Sequence, residues 1–262
     1  MTRSGIKAQI DNFLFAVHNF IFDCLLWLNP TIKKHLKRNS ELKNKHLGDS
    51  CIVFGNGPSL KNFDVSQINN KKTFVVNYFY KNNSLNIISP DYYVLLDELF
   101  YDEKIDAFDS AVAMFPRSVF LFKTNCLGYK VFSRILASGV KYYLSYSQSA
   151  LIDFQIHYEQ TKNITASVNV VNHCIQTAIY MGFKEIFLVG CDFNSFSSSR
   201  PLYAYDIGND VKELSLGDEL KFYSVVCYHH YALAKLANDM GVKIVNATQG
   251  SLLDAYPIGG IE

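Results

Sequence analysis

Four apolar, β-prone runs in this chain each end directly in small, amide or carboxylate side chains. Cys51-Ile52-Val53-Phe54 runs into Gly55-Asn56-Gly57-Pro58-Ser59-Leu60, and the run 73–76 into Asn77-Tyr78. The run 92–96 ends at Asp97-Glu98, and 185–189 at Gly190-Cys191-Asp192-Phe193-Asn194. The first of these is the richest in chemistry. Glycine lets a backbone pass close to a ligand, and Ser59 stands where a following helix would take its cap. A helix start offers free N–H groups and a partial positive charge. A strand, a glycine turn and a helix start in succession suit an anionic, nucleotide-bearing ligand. The spacing matches neither the dinucleotide motif nor the P-loop, because no Gly-Lys-Ser/Thr follows. Asn, Asp and Gly are common in ordinary turns, but four such ends on one sheet edge make a polar site.

Those ends have to be positioned by a sheet. Short β-prone runs at 51–54, 73–76, 92–96, 118–122, 141–144, 185–189 and 242–245 alternate with helical stretches at 59–68, 99–108, 129–136, 168–181 and 218–240. Such alternation predicts an α/β fold, a Rossmann-like and mainly parallel sheet with helices on both faces. Ligands in such sheets bind beyond the carboxyl ends of the strands. The polar stretch Asn-Ser-Phe-Ser-Ser-Ser-Arg-Pro opens a lid-like segment around 194–217.

Composition sets the outer limits. With 262 residues, 49% of them hydrophobic, the chain can bury a full core, and a net charge of +1 gives no global signal for nucleic acid. Six cysteines without a CxxC pair, several inside apolar runs, suit buried thiols in a reducing cytoplasm. Residues 1–47 read as a helical arm ahead of a domain at 48–262. The arm is apolar from Phe13 to Leu28, with Asn12, Asn19 and Asp23 on one helical face. It is followed by Lys33, Lys34, Lys37, Arg38, Lys43 and Lys45. This pattern predicts an interfacial amphipathic helix whose basic sequel is drawn to anionic headgroups. The competing reading is a helix packed on the protein's own core or on a second subunit.

The motifs resemble those of the bacterial sialyltransferases of glycosyltransferase family 42, which cap lipooligosaccharides. The correspondence runs from Gly55-Asn56-Gly57-Pro58-Ser59-Leu60-Lys61 through Asn77-Tyr78-Phe79-Tyr80 and Ile164-Thr165. It continues in Met181-Gly182-Phe183-Lys184-Glu185-Ile186-Phe187-Leu188-Val189-Gly190-Cys191-Asp192-Phe193, and then in Tyr203-Ala204-Tyr205-Asp206. The opening motif is also similar to that of a wider group of polysaccharide-biosynthesis proteins with a hydroxymethylpterin pyrophosphokinase-like domain. The sialyltransferase resemblance implies a CMP-activated nonulosonic acid as donor and a saccharide or lipid-linked acceptor, joined by an inverting displacement that requires no metal or other cofactor. It implies that Asn56, Gly57, Asn77, Gly190 and Asp192 hold the donor, with Ser59, Asp97 and Thr165 nearby. It implies that Tyr203 donates its phenol to the departing phosphate, as a neutral donor can where no metal acts. Work on lipid-carried acceptors implies a cytoplasmic protein, peripheral at the inner membrane, and the resemblance leaves a homo-oligomer open.

Departures from the family pattern fall in the donor pocket. Its second phosphate-facing tyrosine is Asn194 here, its arginine before the Ile-Thr pair is Asn163, and its asparagine after the third strand is Asp97. An inverting transfer needs a group that removes the acceptor's proton, a task suited to histidine near neutral pH. His229, 23 residues after Asp206, is the first candidate. Its neighbour His230 points about 100° away on a helix, so one of the two faces the cleft; aligned from the helix end, the position falls near Ser224. Two other functions stay open: a Mg-dependent diphosphotransferase using ATP, with Asp97 and Asp192 on the metal, and a nucleotide-binding module without turnover.

Overall fold

A computed structural model describes residues 3–82, 85, 87–198, 200, 202–206 and 214–261. Eight strands form one sheet: β1 (Ser50–Phe54), β2 (Lys72–Val76), β3 (Tyr92–Val94), β4 (Val119–Lys123), β5 (Tyr142–Ser149), β6 (Asn163–Thr165), β7 (Glu185–Val189) and β8 (Lys243–Asn246). Their order is β6-β5-β4-β3-β2-β1-β7-β8, and every pairing is parallel. Fully parallel sheets need cover on both faces, and the alternating residues of each strand provide for it. Ile52, Phe54, Val75, Phe120 and Phe122 pack with Phe108 and Ala111 of α3 (Asp106–Met114) and Val131 and Ile135 of α4 (Lys130–Ser138). Cys51, Val53, Phe74, Ile186 and Leu188 pack with Ile175 and Ile179 of α5 (Val170–Tyr180) and Leu233 and Ala237 of α6 (Leu216–Asp239). The result is the expected Rossmann-like α/β sandwich. All six cysteines are free thiols, four of them buried.

The chain starts at mid-sheet, walks outward from β1 to β6, then returns through α5 to place β7 on the other side of β1. Connections leave β1 and β7 in opposite directions, which opens a crevice at their carboxyl ends.

Two predicted helices take a different form. The stretch 59–68 is two short 3-10 turns, Pro58–Asn62 and Val65–Ile68, the second capped by the Asp64 carboxylate accepting from the Ser66 N–H. Asp64 offers the backbone a local partner that competes with the helical ladder. The stretch 99–108 likewise divides into a 3-10 turn at Glu98–Tyr101, capped by Asp97, and α3, which begins only at Asp106. The strand β6 has no counterpart among the predicted runs. Asn163-Ile164-Thr165 is three residues with a single aliphatic side chain, too short for a periodic signal.

The N-terminal helix α1 (Arg3–Leu28) and α2 (Pro30–Arg38) lie against the β5–β6 edge. Leu26 and Leu36 bury themselves with Tyr146. The polar stripe of α1 is the side that faces the protein. Asn12 donates to the Asp153 carboxylate (2.9 Å), and Asn19 both donates to the Ala150 carbonyl (3.1 Å) and accepts from the Ala150 N–H (2.7 Å). Asp23 accepts from the Asn163 amide (2.9 Å), and His18 Nε2 lies 2.9 Å from the Gln148 carbonyl.

Candidate functional site

The carboxyl ends of β1, β2, β3, β4 and β7 surround a cleft of about 730 Å³, which α6 and the loop carrying Tyr203 also line. At its floor the β1 and β7 turns are pressed together. The Gly55 N–H donates to the Val189 carbonyl (2.7 Å) and the Gly57 N–H to the Gly190 carbonyl (2.8 Å). A Cβ on Gly55 would strike the Gly190 carbonyl, and one on Gly57 would strike the Asp192 carboxylate. The glycines are needed first for this approach of two strand ends.

Asp192 is held in place from below. Its carboxylate accepts from the Ser59 hydroxyl (2.7 Å) and from the Ser59 N–H (3.2 Å). Ser59 therefore presents its donors to a carboxylate of the protein itself, and no long helix follows it. Asn56 ties β1 to β2, its amide donating to the Val76 carbonyl (3.0 Å). Asn77 closes β2 in the left-handed region at φ +50, and its carbonyl accepts from the Tyr93 hydroxyl (2.6 Å). The Asn77 side-chain oxygen is buried without a hydrogen-bond partner in the cleft wall, an acceptor that a ligand N–H or O–H would satisfy.

Of the residues singled out from sequence, Asn56, Gly57, Asn77, Asp97, Gly190, Asp192, Asn194 and Tyr203 line this one cleft. Three do not. Ser59 stands behind Asp192. Thr165 is 1% exposed in β6, where its hydroxyl accepts from the His157 N–H (2.8 Å). His229 is 8% exposed and outside the cleft lining, with burial lowering its pKa. His230 is the histidine in the wall, its Nδ1 3.1 Å from the Tyr256 hydroxyl. Burial, with a smaller push from His229, lowers its pKa to about 3, so it is neutral at physiological pH and a weak base. Tyr203 stacks on Tyr205 with ring centres 5.1 Å apart and is partly exposed to the cleft. The lid-like segment 194–217 belongs to the described residues only at 194–198, 200, 202–206 and 214–217; the rest of it lies outside them.

Two charged residues of the wall escaped the sequence reading. Lys123 ends β4 and is the one Lys or Arg among the described lining residues. Inspecting the residue after the predicted strand 118–122, as after the other four, would have found it. Glu219, only 8% exposed, projects from the first turn of α6. It had no motif to mark it. Asn163, the position of the expected arginine, is turned away to α1 and β5, bonding Asp23 and the Gln148 N–H. Among the described residues no three His, Cys, Asp or Glu side chains gather as a metal site.

A doubly wound parallel sheet with a polar cleft at its switch point defines a Rossmann-like α/β protein. The chain belongs to the 6-hydroxymethylpterin diphosphokinase MptE-like family, whose model matches residues 28–197. The sialyltransferase CstII from Campylobacter jejuni, solved with the substrate analogue cytidine-5'-monophosphate, shares the fold at TM-score 0.54 and 21% identity, over 82% of this chain and 86% of that one. Monomeric CstII aligns at TM-score 0.49 and 20% identity over the same shares. The MAf glycosyltransferase from Magnetospirillum magneticum AMB-1 aligns at TM-score 0.49 and 16% identity, over 87% of this chain but 38% of that longer one. No curated protein matches this chain.

Proposed function

We propose that this protein is a glycosyltransferase that moves a nonulosonic acid from a CMP donor to a saccharide acceptor with inversion, in the assembly of lipooligosaccharide, lipopolysaccharide or capsule. The observation that carries the reading is the convergence of Asn56, Asn77, Asp192 and Tyr203 on one cleft, with the Ala204 N–H beside Tyr203 donating to the Asn56 carbonyl (2.9 Å). Agreement comes from the fold shared with a sialyltransferase solved with the substrate analogue cytidine-5'-monophosphate. The cleft volume of about 730 Å³ suits a nucleotide sugar.

In this reading Asn56, Gly57, Asn77, Gly190 and Asp192 seat the nucleotide, with Asp97 beside it and Ser59 and Thr165 as supports. The acceptor oxygen attacks the anomeric carbon while the bond to the phosphate oxygen breaks and CMP leaves. Tyr203 and Asn194 are the neutral donors that meet the charge growing on that phosphate. The acceptor's proton passes to Glu219, the buried carboxylate of the wall. His229, which sits outside the lining, has a packing role. No metal or other cofactor takes part. The enzyme works in the cytoplasm, peripheral at the inner membrane where lipid-linked acceptors are built, alone or as a homo-oligomer.

The family match favours a second reading, diphosphate transfer from ATP with Mg²⁺. Mg²⁺ is commonly held by one or two carboxylates and the substrate's phosphates, and Asp97 and Asp192 face the same cleft.

Thermal-shift titration with CMP, CDP, UDP, GDP and ATP, each with and without Mg²⁺, separates the two, since a ligand selective for the native state raises the midpoint. Metal-independent stabilisation by CMP is the expected result. Stabilisation by ATP only in the presence of Mg²⁺ would establish the second reading and remove the first.

A further inference from the structure

The outward side of α1 is apolar from Ile10 to Leu28. Ten large apolar residues between Ile10 and Leu28 are 41–72% exposed, Trp27 most of all. Ile10, Leu14, Val17, Ile21 and Leu28 recur at helical steps opposite the stripe of Asn12, Asn19 and Asp23, which is spent on the β5–β6 edge. Such a face is of the order of 1,000 Å², beyond the few hundred that monomers ordinarily leave bare. By length and composition Lys7–Leu28 is apolar enough to cross a membrane. Crossing would strip the polar stripe of its partners along the sheet edge and bury it in hydrocarbon, where unpaired polar groups are costly. The helix is therefore built to lie along a surface, apolar side outward.

Charge decides which surface. Directly after the apolar face comes α2 with Lys33, Lys34 and Lys37, all exposed and in no ion pair with a described residue. Lys33 places its ammonium 5.8 Å from the centre of the exposed Trp27 ring. Apolar bulk, an indole at its border and cations beside it match the acyl, interfacial and headgroup levels of an anionic bilayer. A second copy docking through the same face would bring these lysines toward their own kind.

We infer that α1 lies flat in an anionic membrane, inserted by its outward apolar face, while α2 contacts the headgroups. This gives a mechanism to the inner-membrane location proposed above, but it stands on α1 and α2 alone. Failure of nucleotide binding would leave it intact, and its own failure would leave the transfer reading intact.

Trp27 is the chain's single tryptophan, so its fluorescence reports on this face in the full-length protein. Vesicles of phosphatidylcholine with about 30 mol % phosphatidylglycerol are expected to shift its emission to the blue and to carry the protein upward in flotation. Pure phosphatidylcholine should bind markedly less. Phe13→Asn with Phe20→Asn should lower partitioning at least about tenfold, and K33Q/K34Q/K37Q should remove most of the preference for anionic vesicles. Both sets alter exposed residues, and unchanged melting of each variant confirms its fold. An emission spectrum indifferent to either vesicle overturns the inference, and so does a sedimentation dimer in which the Trp27 face is covered. Retention of the protein in membranes after an alkaline carbonate wash overturns the flat geometry in favour of spanning.

Discussion

Ser59 grips Asp192 twice, through its hydroxyl at 2.7 Å and its backbone N–H at 3.2 Å, across 133 residues of sequence. The contact joins the glycine turn after β1 to the turn after β7 and fixes a carboxylate at the cleft wall. Ser59→Ala removes the stronger bond. A hydrogen bond to a charged group is worth about 1.5–3 kcal/mol when well buried, and this one is half-buried, so the expected loss is about 1 kcal/mol. That corresponds to a melting midpoint about 2–4 °C lower, together with weaker CMP binding because Asp192 is freed. Calorimetry and titration of the same variant check the two effects.

The glycines at the floor make a sharper prediction. Gly55→Ala drives a methyl into the Gly190 carbonyl, and backbone on both sides leaves little room to yield. The expected cost is about 2 kcal/mol or more, read as a reduced midpoint in urea. Gly128→Ala, where an added Cβ meets nothing within 4 Å, serves as the neutral comparison.

Assignment of the general base is decided by three substitutions. Glu219→Gln should lower turnover by about 10²–10⁴ with little change in CMP affinity. His229→Ala should transfer sugar at nearly the wild-type rate, after correction for any loss of folded protein. His230→Gln should act on stability through its contact with Tyr256. A collapse of turnover in H229A alone would return the role to His229.

Lys123 carries the fourth prediction. As the one Lys or Arg among the described residues of the cleft wall, it is placed to meet the ligand's anionic group. Lys123→Gln should weaken CMP binding about tenfold, the size of a charge-assisted hydrogen bond, and should flatten the dependence of affinity on salt. Cytidine, which lacks the phosphate, should bind both forms alike in isothermal titration.

Acid should unfold the protein by way of its buried histidines. Burial lowers the pKa of His173 and His230 to about 3 from an ordinary 6.5. Above the ordinary value neither the folded nor the unfolded chain protonates these rings, and the full stability is present. As pH falls from about 6.5 toward 3, the unfolded chain takes up protons that the native state refuses. Each ring then removes up to about 1.4 kcal/mol per pH unit. Denaturation free energies measured from pH 7 to 4.5 should fall accordingly, and more gently in His230→Gln.

Much of this architecture was legible in the residues. Strands of a parallel sheet are covered on both faces, so they appear as undivided apolar runs, and seven of the eight were visible. The polar residues just past them were visible too, because a strand end at a switch point needs side chains that turn and bind. Local rules failed where tertiary contacts decide. The run after Pro58 is helical in propensity but ends in short turns, since Asp64 caps it locally and Ser59 bonds Asp192. β6 is strand only because β5 offers it an edge.

The placement of particular side chains depended on packing alone. Helical periodicity says that His229 and His230 diverge, but only the docking of α6 on Phe193 and Tyr256 turns His230 into the wall. Glu219 and Lys123 line the same cleft from elements far apart in the sequence, α6 and β4. Likewise, the sequence determines that α1 has a polar stripe and an apolar face, whereas the hydrogen bonds to Ala150, Asp153 and Asn163 decide which one looks outward. Periodicity fixes angles about a helix axis, and only contacts with the rest of the chain set the direction in which that axis is turned.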